Sequence, residues 1–332
     1  MPTDNLHTKQ ELGQRHVSPA VSIILPTYNR KRWLELAVAS VLAQSFTDWE
    51  LIVADDGSDD ETKTYLRTLE SEPNVRIRWL AHSGNPSRVR NAALRDARAR
   101  YVAFIDSDDV WSARKLEAQL AALQSSPRCR WSYTSCDRID ADGRLLEPAL
   151  QPATAARSGA IFEALLAHEA WAAMPTVVAE RALVDEIGGF DEDQPYGEFH
   201  DFCLRLALRS DVIALSDVLC SVRSHDEHYS TDRAAALAAW VRLYEKFAVL
   251  APSTRGRAFS ARMGRRAALD LAARQGAEHD VRAVWRTLRD GKVLSWRFPQ
   301  LWYRGALALL RPFAPRTTRA TLDRASVEGR TP

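Results

Sequence analysis

The sequence predicts an α/β fold, a doubly wound and mostly parallel sheet with flanking helices, followed by an α-helical C-terminal appendage. Between residues 21 and 124 an apolar run, a turn and a helical stretch recur four times, the order that parallel strands with crossover helices produce. From Arg233 onward the chain reads as successive helices, broken at Pro252, Gly276 and Gly291. The length of 332 residues exceeds the roughly 250–300 residues at which single cores stop growing, so a main domain with an appendage is expected.

Four short strands are predicted in the first part of the chain. Each is rich in Val, Ile or aromatic residues, and most are continuously apolar, as burial on both faces of a sheet requires. They are Val21–Leu25, Leu51–Ala54, Val75–Leu80 and Tyr101–Ile105. Helices are predicted where apolar residues recur at helical spacing. These positions are Trp33, Leu34, Ala37, Val38, Val41 and Leu42 after the first strand, and Leu116, Leu120 and Leu123 after the fourth.

The regular alternation stops after residue 125. A strand-like segment at Trp131–Cys136, an Asp142-Gly143 turn and a helix near Ser158–His168 follow. This part of the chain is therefore predicted to continue as a mixed, partly antiparallel structure.

Composition and charge narrow the class of protein. The formal net charge of +2 argues against a nucleic-acid partner, because phosphate contacts need a concentrated excess of Lys and Arg. The first twenty residues lack the apolar segment of a secretory signal, and no run of eighteen apolar residues occurs, so we expect a cytoplasmic protein without a membrane span. The four cysteines lack Cys-x-x-Cys spacing, which favours reduced thiols over a zinc or redox site.

Polar residues cluster directly after three of the four predicted strands. Ligands of open α/β sheets bind beyond the carboxyl ends of the strands, so these positions are the first candidates for a site. They are Pro-Thr-Tyr-Asn-Arg at 26–30, Asp-Asp-Gly-Ser-Asp-Asp at 55–60 and Asp-Ser-Asp-Asp at 106–109.

The cluster at 106–109 has two interpretations. Asp106 and Asp108, with Asp109 beside them, concentrate negative charge that a divalent cation such as Mg²⁺ or Mn²⁺ would neutralise, and such a cation bridges to substrate phosphates. Alternatively, Ser107 or Asp109 caps a helix beginning near Ser112. The residues alone leave both interpretations open.

The cluster at 55–60 also has two interpretations. Gly57 permits a tight turn and Ser58 is placed to cap the next helix, so Asp55 and Asp56 fit an acidic turn formed for local reasons. An exposed carboxylate at this strand end would also accept hydrogen bonds from a base or a ribose. We keep both alternatives at this point.

Five stretches together carry a family resemblance. Residues 21–30, 40–46, 55–60, 90–93 and 104–109 read Val-Ser-Ile-Ile-Leu-Pro-Thr-Tyr-Asn-Arg, Ser-Val-Leu-Ala-Gln-Ser-Phe, Asp-Asp-Gly-Ser-Asp-Asp, Arg-Asn-Ala-Ala and Phe-Ile-Asp-Ser-Asp-Asp. On these residues the stretch Val21–Trp111 closely resembles the nucleotide-binding half of family 2 glycosyltransferases, which have the GT-A fold. A looser similarity, through 187–192, 204–207 and 222–225, extends the resemblance to about residues 20–230.

The resemblance implies roles in binding a nucleotide-sugar donor. Pro26 and Tyr28 would help to hold the nucleotide base, and Asp56 would hydrogen-bond to it. Arg90 would approach the diphosphate or the sugar.

The resemblance also implies a metal site. Asp106, Asp108 and Asp109 match the DXD-type motif of the family, whose carboxylates bind the metal and the ribose. His225 matches a histidine that faces the metal or the diphosphate in some members. The implied metal ligands are Asp108, Asp109 and His225, and the implied cofactor is Mn²⁺ or Mg²⁺.

The general base is where the sequence departs from the family. Inverting transfer needs a group that takes the proton of the acceptor hydroxyl. In the family this is usually the aspartate of a Glu-Asp pair opening a helix, and here Phe199 occupies that position. Asp201, Glu198 or His200 serves instead, or the chemistry is lost, and we favour Asp201 over Glu198. Alternatively, both carboxylates only stabilise a helix N-terminus through its dipole.

The C-terminal segment is basic. Residues 281–330 carry eleven Lys or Arg against three acidic residues, a local formal charge of +8, and tryptophans are interleaved with them. Such a surface is typical of peripheral association with an anionic membrane. We favour the alternative, a solvated basic face over a helical core.

The family resemblance, taken with the acidic strand ends, implies an inverting, metal-dependent hexosyltransferase. It would move a sugar from a nucleotide diphosphate donor, expected to be a UDP-sugar, to a saccharide or lipid-linked saccharide in surface polysaccharide biosynthesis. The predicted divisions are a disordered tail (1–19), a GT-A domain (20–230) with nucleotide-binding (20–125) and acceptor-binding (126–230) halves, and a helical region (231–332).

Two other functions compete with this one. A non-catalytic nucleotide-sugar-binding protein of the same fold is motivated by Phe199 at the usual position of the base. A nucleotidyltransferase is disfavoured because no Gly-rich triphosphate loop follows the first strand.

Overall fold

The computed structural model describes residues 18–150, 157–225, 232–277 and 280–291. Nearly all of the predicted disordered tail (1–19) lies outside the described residues. So does the greater part of the basic segment (281–330), whose described portion ends at residue 291.

A single mixed sheet forms the centre of the described structure. Its strands are β1 (Val21–Thr27), β2 (Trp49–Asp55), β3 (Val75–Trp79), β4 (Tyr101–Phe104), β5 (Val110–Trp111), β6 (Cys129–Ile139), β7 (Leu145–Glu147), β8 (Val178–Glu180) and β9 (Asp211–Arg223). They are arranged in the order β3-β2-β1-β4-β8-β6-β9-β5, with β7 on β6 beside this path.

The half of the sheet that precedes residue 105 is parallel, as predicted. β1 pairs with β2 and β4, and β2 pairs with β3, all in parallel. β8 is antiparallel to β4 and to β6, while β6 and β9 run parallel. β1 extends two residues beyond the predicted end at Leu25, because Pro26 and Thr27 still pair with Ala54 and Asp55 of β2. The predicted mixed continuation after residue 125 is therefore present.

Ten helices flank the sheet or follow it in the described residues. They are α1 (Lys31–Leu42), α2 (Glu61–Leu69), α3 (Pro86–Asp96), α4 (Lys115–Ser125), α5 (Phe162–Leu166), α6 (Arg181–Glu186), α7 (Glu198–Ala207), α8 (Arg233–Leu250), α9 (Thr254–Ala277) and α10 (Val281–Asp290). None of them is both long enough and apolar enough to cross a bilayer.

Two capping predictions were wrong. α2 is capped by Asp60, whose side chain accepts a hydrogen bond from the backbone N–H of Thr62, and not by Ser58. α4 begins after Arg114 without a side-chain cap, so neither Ser107 nor Asp109 caps it. The capping alternative for the 106–109 cluster is thereby removed.

The two faces of the sheet are covered by different helices. Alternate residues of β1 are buried on opposite faces: Ile23 and Leu25 pack in the cluster that contains residues of α1 and α4, and Ile24 packs in the cluster that contains residues of α3, α7 and α8. Phe247 of α8 is fully buried in that second cluster. The first helix after residue 232 is thus joined to the main core.

Candidate functional site

A cavity of about 530 Å³ opens at the carboxyl ends of β1, β2 and β4. Parallel strands bring these ends to one edge of the sheet, and the loop before α3 and the first residue of α7 close the sides. The six residues predicted for donor binding all line this cavity: Pro26, Tyr28, Asp56, Arg90, Asp106 and Asp108. Of the two carboxylates weighed as the base, Glu198 lines it as well.

Asp56 organises one wall of the cavity. Its Oδ1 accepts hydrogen bonds from the backbone N–H and the hydroxyl of Ser83, both at 2.9 Å, and its Oδ2 accepts one from the Gly84 N–H at 2.9 Å. The backbone N–H of Asp56 donates to the carbonyl of Thr27 at 2.9 Å. The carboxylate is therefore fixed, and the wall is preorganised for a ligand.

An aromatic pair lies next to Asp56. Tyr28 stacks on His82 with ring centroids 4.1 Å apart, and Nδ1 of His82 lies 2.9 Å from the carbonyl oxygen of Asp56. Gly57 allows this close approach because it has no side chain. A Cβ at this position would lie 2.7 Å from the backbone nitrogen of His82, and the φ of +79° is a conformation that glycine adopts readily. Tyr28 is 41% exposed, so a planar base has an aromatic surface on which to stack.

The other acidic residues of the 55–60 string have local structural roles. Asp55 accepts a hydrogen bond from the Ser58 N–H at 3.0 Å, and burial raises its pKa above the ordinary value. Asp59 exchanges two hydrogen bonds with Asn29. These residues therefore fit the local interpretation of the string, and Asp56 is its acidic residue that lines the cavity.

Arg90 joins two carboxylates at the centre of the cavity. Its Nη2 donates to Asp106 Oδ1 at 2.6 Å and its Nη1 to Glu198 Oε1 at 3.2 Å, and its side chain is 6% exposed. Burial opposes the charge, but the two carboxylates outweigh it and raise the pKa of Arg90. The cavity therefore contains a permanent cation between two acids.

Glu198 is the first residue of α7, and its carboxylate is largely enclosed. Burial raises its pKa above the usual value, Arg90 opposes the increase, and Asp106 adds to it. A carboxylate with a raised pKa in a cleft is a better proton acceptor than an ordinary glutamate.

Asp108 lies at the other side of the cavity between two basic groups. Its Oδ2 is 2.7 Å from Arg30 Nη1 and 2.9 Å from His225 Nε2. The His225 ring stacks on Trp33 with centroids 4.2 Å apart, which fixes its plane. Two of the three residues named as metal ligands, Asp108 and His225, are thus in contact, although they are 117 positions apart.

Asp109 is held behind this pair. Its Oδ1 accepts a hydrogen bond from the backbone N–H of Arg223 at 2.9 Å, and the residue is 2% exposed. Burial, and then the charges of Asp108 and Asp106, raise its pKa well above the ordinary value. The structure therefore does not bring Asp109 to the cavity wall beside Asp108.

The other candidates for the base lie away from the cavity wall. Asp201 has a side chain 1% exposed, with Oδ2 2.6 Å from Arg205 Nε and Oδ1 2.7 Å from Lys246 Nζ. His200 stacks on His168 at 4.7 Å, and burial, followed by the charge of His168, lowers the pKa of His200 to about 3. Phe199 packs toward Phe202 in the core. Neither Asp201 nor His200 lines the cavity.

We expect Asp201→Asn to lower the free energy of unfolding by about 3–5 kcal/mol, the range for breaking a buried ion pair. Asparagine keeps the size of the side chain but removes the carboxylate charge from Arg205 and one of the two carboxylates that neutralise Lys246, the other being Asp191. Denaturant unfolding of both proteins measures the difference. Asp217→Asn, at an exposed carboxylate, serves as the control and should stay within about 0.5 kcal/mol of wild type. Equal losses in the two variants would contradict the structural role.

The donor set at Asp108 fits a cation that is shared with a substrate. Among the described residues, no three His, Cys, Asp or Glu side chains are grouped so as to hold a metal ion by themselves. Mg²⁺ commonly takes one or two carboxylates and completes its shell with phosphate oxygens and water. Asp108 with the neighbouring His225 matches that pattern. These residues do not form a complete metal site by themselves.

Three contacting residues had no role in the prediction from sequence: His82, Arg30 and Lys246. His82 follows the third strand, whose end carries no acidic string, and Lys246 is 45 positions from Asp201. A signal was available for Arg30, because a basic residue at one strand end predicts pairing with acids at the neighbouring end.

This strand order, with an acidic cavity at the carboxyl ends of the parallel strands, defines a GT-A-type glycosyltransferase fold. The structure of residues 1–349 of S. aureus TarS in complex with UDP-GlcNAc matches it with a TM-score of 0.59 at 19% identity, over 92% of this chain and 88% of that one. PcManGT, a mannosyltransferase from Pyrobaculum calidifontis in complex with GDP-Man and Mn²⁺, matches with a TM-score of 0.55 at 20% identity, over 94% and 87%. At this identity the likeness shows the fold alone.

Residues 22–164 match the model of glycosyl transferase family 2. TuaG of Bacillus subtilis (strain 168), by name a teichuronic acid biosynthesis glycosyltransferase, is 39% identical over 130 residues, 39% of this chain and 51% of TuaG. WfgD of Escherichia coli, a UDP-Glc:alpha-D-GlcNAc-diphosphoundecaprenol beta-1,3-glucosyltransferase, is 39% identical over 104 residues, 31% of this chain and 40% of WfgD. The matched part thus spans about half of these curated relatives or less.

Proposed function

We propose that the chain is an inverting glycosyltransferase that moves a sugar from a nucleoside diphosphate donor to a saccharide or lipid-linked saccharide acceptor. The observation that carries the proposal is the Asp106–Arg90–Glu198 arrangement in the wall of a cavity that also contains Asp56 and Asp108. Base-binding, diphosphate-facing and proton-accepting groups are thereby assembled within one cavity. An assay of sugar transfer from UDP-sugars to polyprenyl-diphosphate saccharides tests it.

A uridine nucleotide is the proposed donor base. The Tyr28–His82 pair offers a surface for stacking, and Asp56 with its loop forms a hydrogen-bonding edge beside it. WfgD uses UDP-Glc by name, and TarS was solved with UDP-GlcNAc, which supports the choice by analogy.

Glu198 is the proposed base. The acceptor oxygen forms a bond to the anomeric carbon while the bond from that carbon to the diphosphate oxygen breaks, and the acceptor proton passes to the Glu198 carboxylate. Arg90, 3.2 Å from Glu198 and 2.6 Å from Asp106, orients both carboxylates and offers positive charge to a diphosphate. The raised pKa of Glu198 favours its acceptance of the proton.

Asp108 and His225 are the residues that would hold a divalent cation together with the donor. Such a cation neutralises the charge that develops on the leaving diphosphate. Arg30, 2.7 Å from Asp108, places a further positive charge at the same end of the cavity. Asp108 therefore serves to hold positive groups where a diphosphate would lie.

The acceptor is proposed to be a surface polysaccharide precursor. WfgD acts on a diphosphoundecaprenol-linked sugar by name, and TuaG belongs by name to teichuronic acid biosynthesis. The excess of basic residues at 281–330 supports a peripheral contact with an anionic membrane, where a lipid-linked acceptor would be presented.

Asp56→Asn is expected to weaken UDP binding by about 10- to 100-fold, because hydrogen bonds to a charged group contribute about 1.5–3 kcal/mol. An amide also has one oxygen to accept where the carboxylate has two, so the Ser83–Gly84 loop loses part of its anchor. Isothermal titration with UDP measures the change. Asp59→Asn is the matched control, since it makes the same change in the same string outside the cavity. Affinities that agree within twofold in the two variants would argue against a role for Asp56.

A non-catalytic nucleotide-sugar-binding protein is the second candidate, favoured by Phe199 at the usual position of the base. The two functions are separated by comparing UDP binding with sugar transfer. Binding without transfer to any saccharide acceptor would support this second function.

A further inference from the structure

The helix that carries Glu198 is joined to α8 by a partly buried ionic network. Lys246 of α8 donates from Nζ to Asp201 Oδ1 at 2.7 Å and to Asp191 Oδ2 at 2.9 Å. Arg205 donates from Nε to Asp201 Oδ2 at 2.6 Å. Two cations thus balance two carboxylates, and Asp201 lies one helical turn after Glu198 on α7.

The same network reaches the loop at 187–192. Nη1 of Arg205 donates to the carbonyls of Ile187 and Gly189 at 2.7 and 2.6 Å. On the other side of the loop, the Asn91 side chain bonds both the N–H and the carbonyl of Phe190, each at 2.9 Å. Because Asn91 follows Arg90 on α3, the loop connects the helix of Arg90 with the helix of Glu198.

We propose that Lys246 is a positioning residue, which holds the first turn of α7 so that Glu198 faces Arg90 and the cavity. The inference rests on the proposed function, in which Glu198 is the base. Lys246 lies outside residues 22–164, so the family match does not assign it a role.

The geometry explains why α7 needs this support. The residue before Glu198 is Gly197, with φ at +70°, and it makes no side-chain cap for the helix. Arg90 holds Glu198 at the length of a weak hydrogen bond, 3.2 Å. The shorter bonds of Asp201 therefore fix the first turn, and a displacement of about 1 Å at a catalytic group can lower the rate by about a hundredfold.

The test compares three variants with wild type. Lys246→Met removes the cation, and Lys246→Arg retains it. Arg130→Met is the matched control, because the Arg130 and Lys246 side chains are both 27% exposed and each bridges two carboxylates. Its partner Glu180 pairs with Tyr101 at the start of β4, the end of that strand opposite the cavity.

Two readouts are taken on the full chain: amide hydrogen exchange of α7, and kcat with the donor KM. Lys246→Met should speed exchange in the first turn of α7 and lower kcat about 10- to 100-fold, with the donor KM within twofold of wild type. Lys246→Arg should recover kcat to within about threefold. Arg130→Met should leave both readouts unchanged.

Unchanged exchange in α7, or a kcat in Lys246→Met equal to that in Arg130→Met, overturns the inference. If Lys246→Met does not fold, Asp191→Asn removes one of the two carboxylates that bind Lys246. This variant should also speed exchange in the first turn of α7, and it should lower kcat about threefold. If wild type transfers no sugar, the proposed function fails, while hydrogen exchange still decides whether Lys246 orders α7.

Discussion

Glu198→Gln is expected to lower turnover by about a hundred- to ten-thousand-fold, the contribution typical of a general base, with UDP affinity within about twofold of wild type. Glutamine keeps the shape of the side chain and a hydrogen bond to Arg90, but it cannot take up the acceptor proton. Steady-state kinetics with a fixed acceptor, together with titration of UDP, separate these two effects.

Glu192→Gln is the matched control for this change. Glu192 lies in the loop at 187–192, where it contacts Asn91 and Arg88, and it does not line the cavity. Its conversion to glutamine should therefore leave turnover unchanged. If Asp201→Asn, compared at equal folded fraction, loses more turnover than Glu198→Gln, the role of base passes to Asp201.

The pH profile gives a second readout of the same assignment. A base acts when deprotonated, so activity should fall as the pH falls through the pKa of Glu198. Because burial raises that pKa, the acid limb should lie at higher pH than for an ordinary glutamate, and it should be absent from the residual activity of Glu198→Gln.

Chelation of divalent cations is expected to reduce transfer by at least about a hundredfold, since a cation at a leaving diphosphate contributes several kcal/mol. Mn²⁺ or Mg²⁺ should restore the activity. Asp108→Asn should raise the Mn²⁺ concentration needed for half-maximal donor binding, because one charged ligand is lost.

Asp59→Asn, which alters a carboxylate outside the cavity, should respond to Mn²⁺ as wild type does. Full activity in excess chelator would rule out the metal, and an unchanged Mn²⁺ response in Asp108→Asn would move the ion away from this carboxylate. Calorimetric titration of Mn²⁺ in the presence of UDP decides between these outcomes.

The parallel half of the fold could be predicted because its signals are local. Buried strands such as Val21–Leu25 read as continuous apolar runs, and Asp56, Arg90 and Asp106 follow such runs or lie in a recognisable string. Strand order was not needed to expect them at one edge, since parallel strands present their carboxyl ends together. Their common cavity is a consequence of topology.

The orientation of the two candidate carboxylates was harder to predict because it depends on helix rotation. Glu198 and Asp201 are one helical turn apart, and both fit the first turn of a helix. Which of them faces the cleft depends on tertiary contacts such as that of Asp201 with Lys246, which is 45 positions away and shares no local pattern with it. The N-cap interpretations failed for two different reasons. Several residues of the 55–60 string can cap a helix and the turn geometry selects Asp60, whereas α4 begins at Lys115, beyond the 106–109 string.

Because α8 is buried against the main core, we expect a fragment of the protein to fold properly only if it includes this helix. Leu243, Tyr244 and Phe247 are at most 4% exposed and belong to the same apolar cluster as Ile24 and Phe104 of the central sheet. A protein ended near residue 230 would lack α8, would expose to water the apolar residues of the main core that α8 covers, and would also lack Lys246, the partner of Asp201 and Asp191. Expression of a fragment defined by the family match would therefore yield an aggregation-prone product, whereas fragments that continue past Leu250 retain the helix.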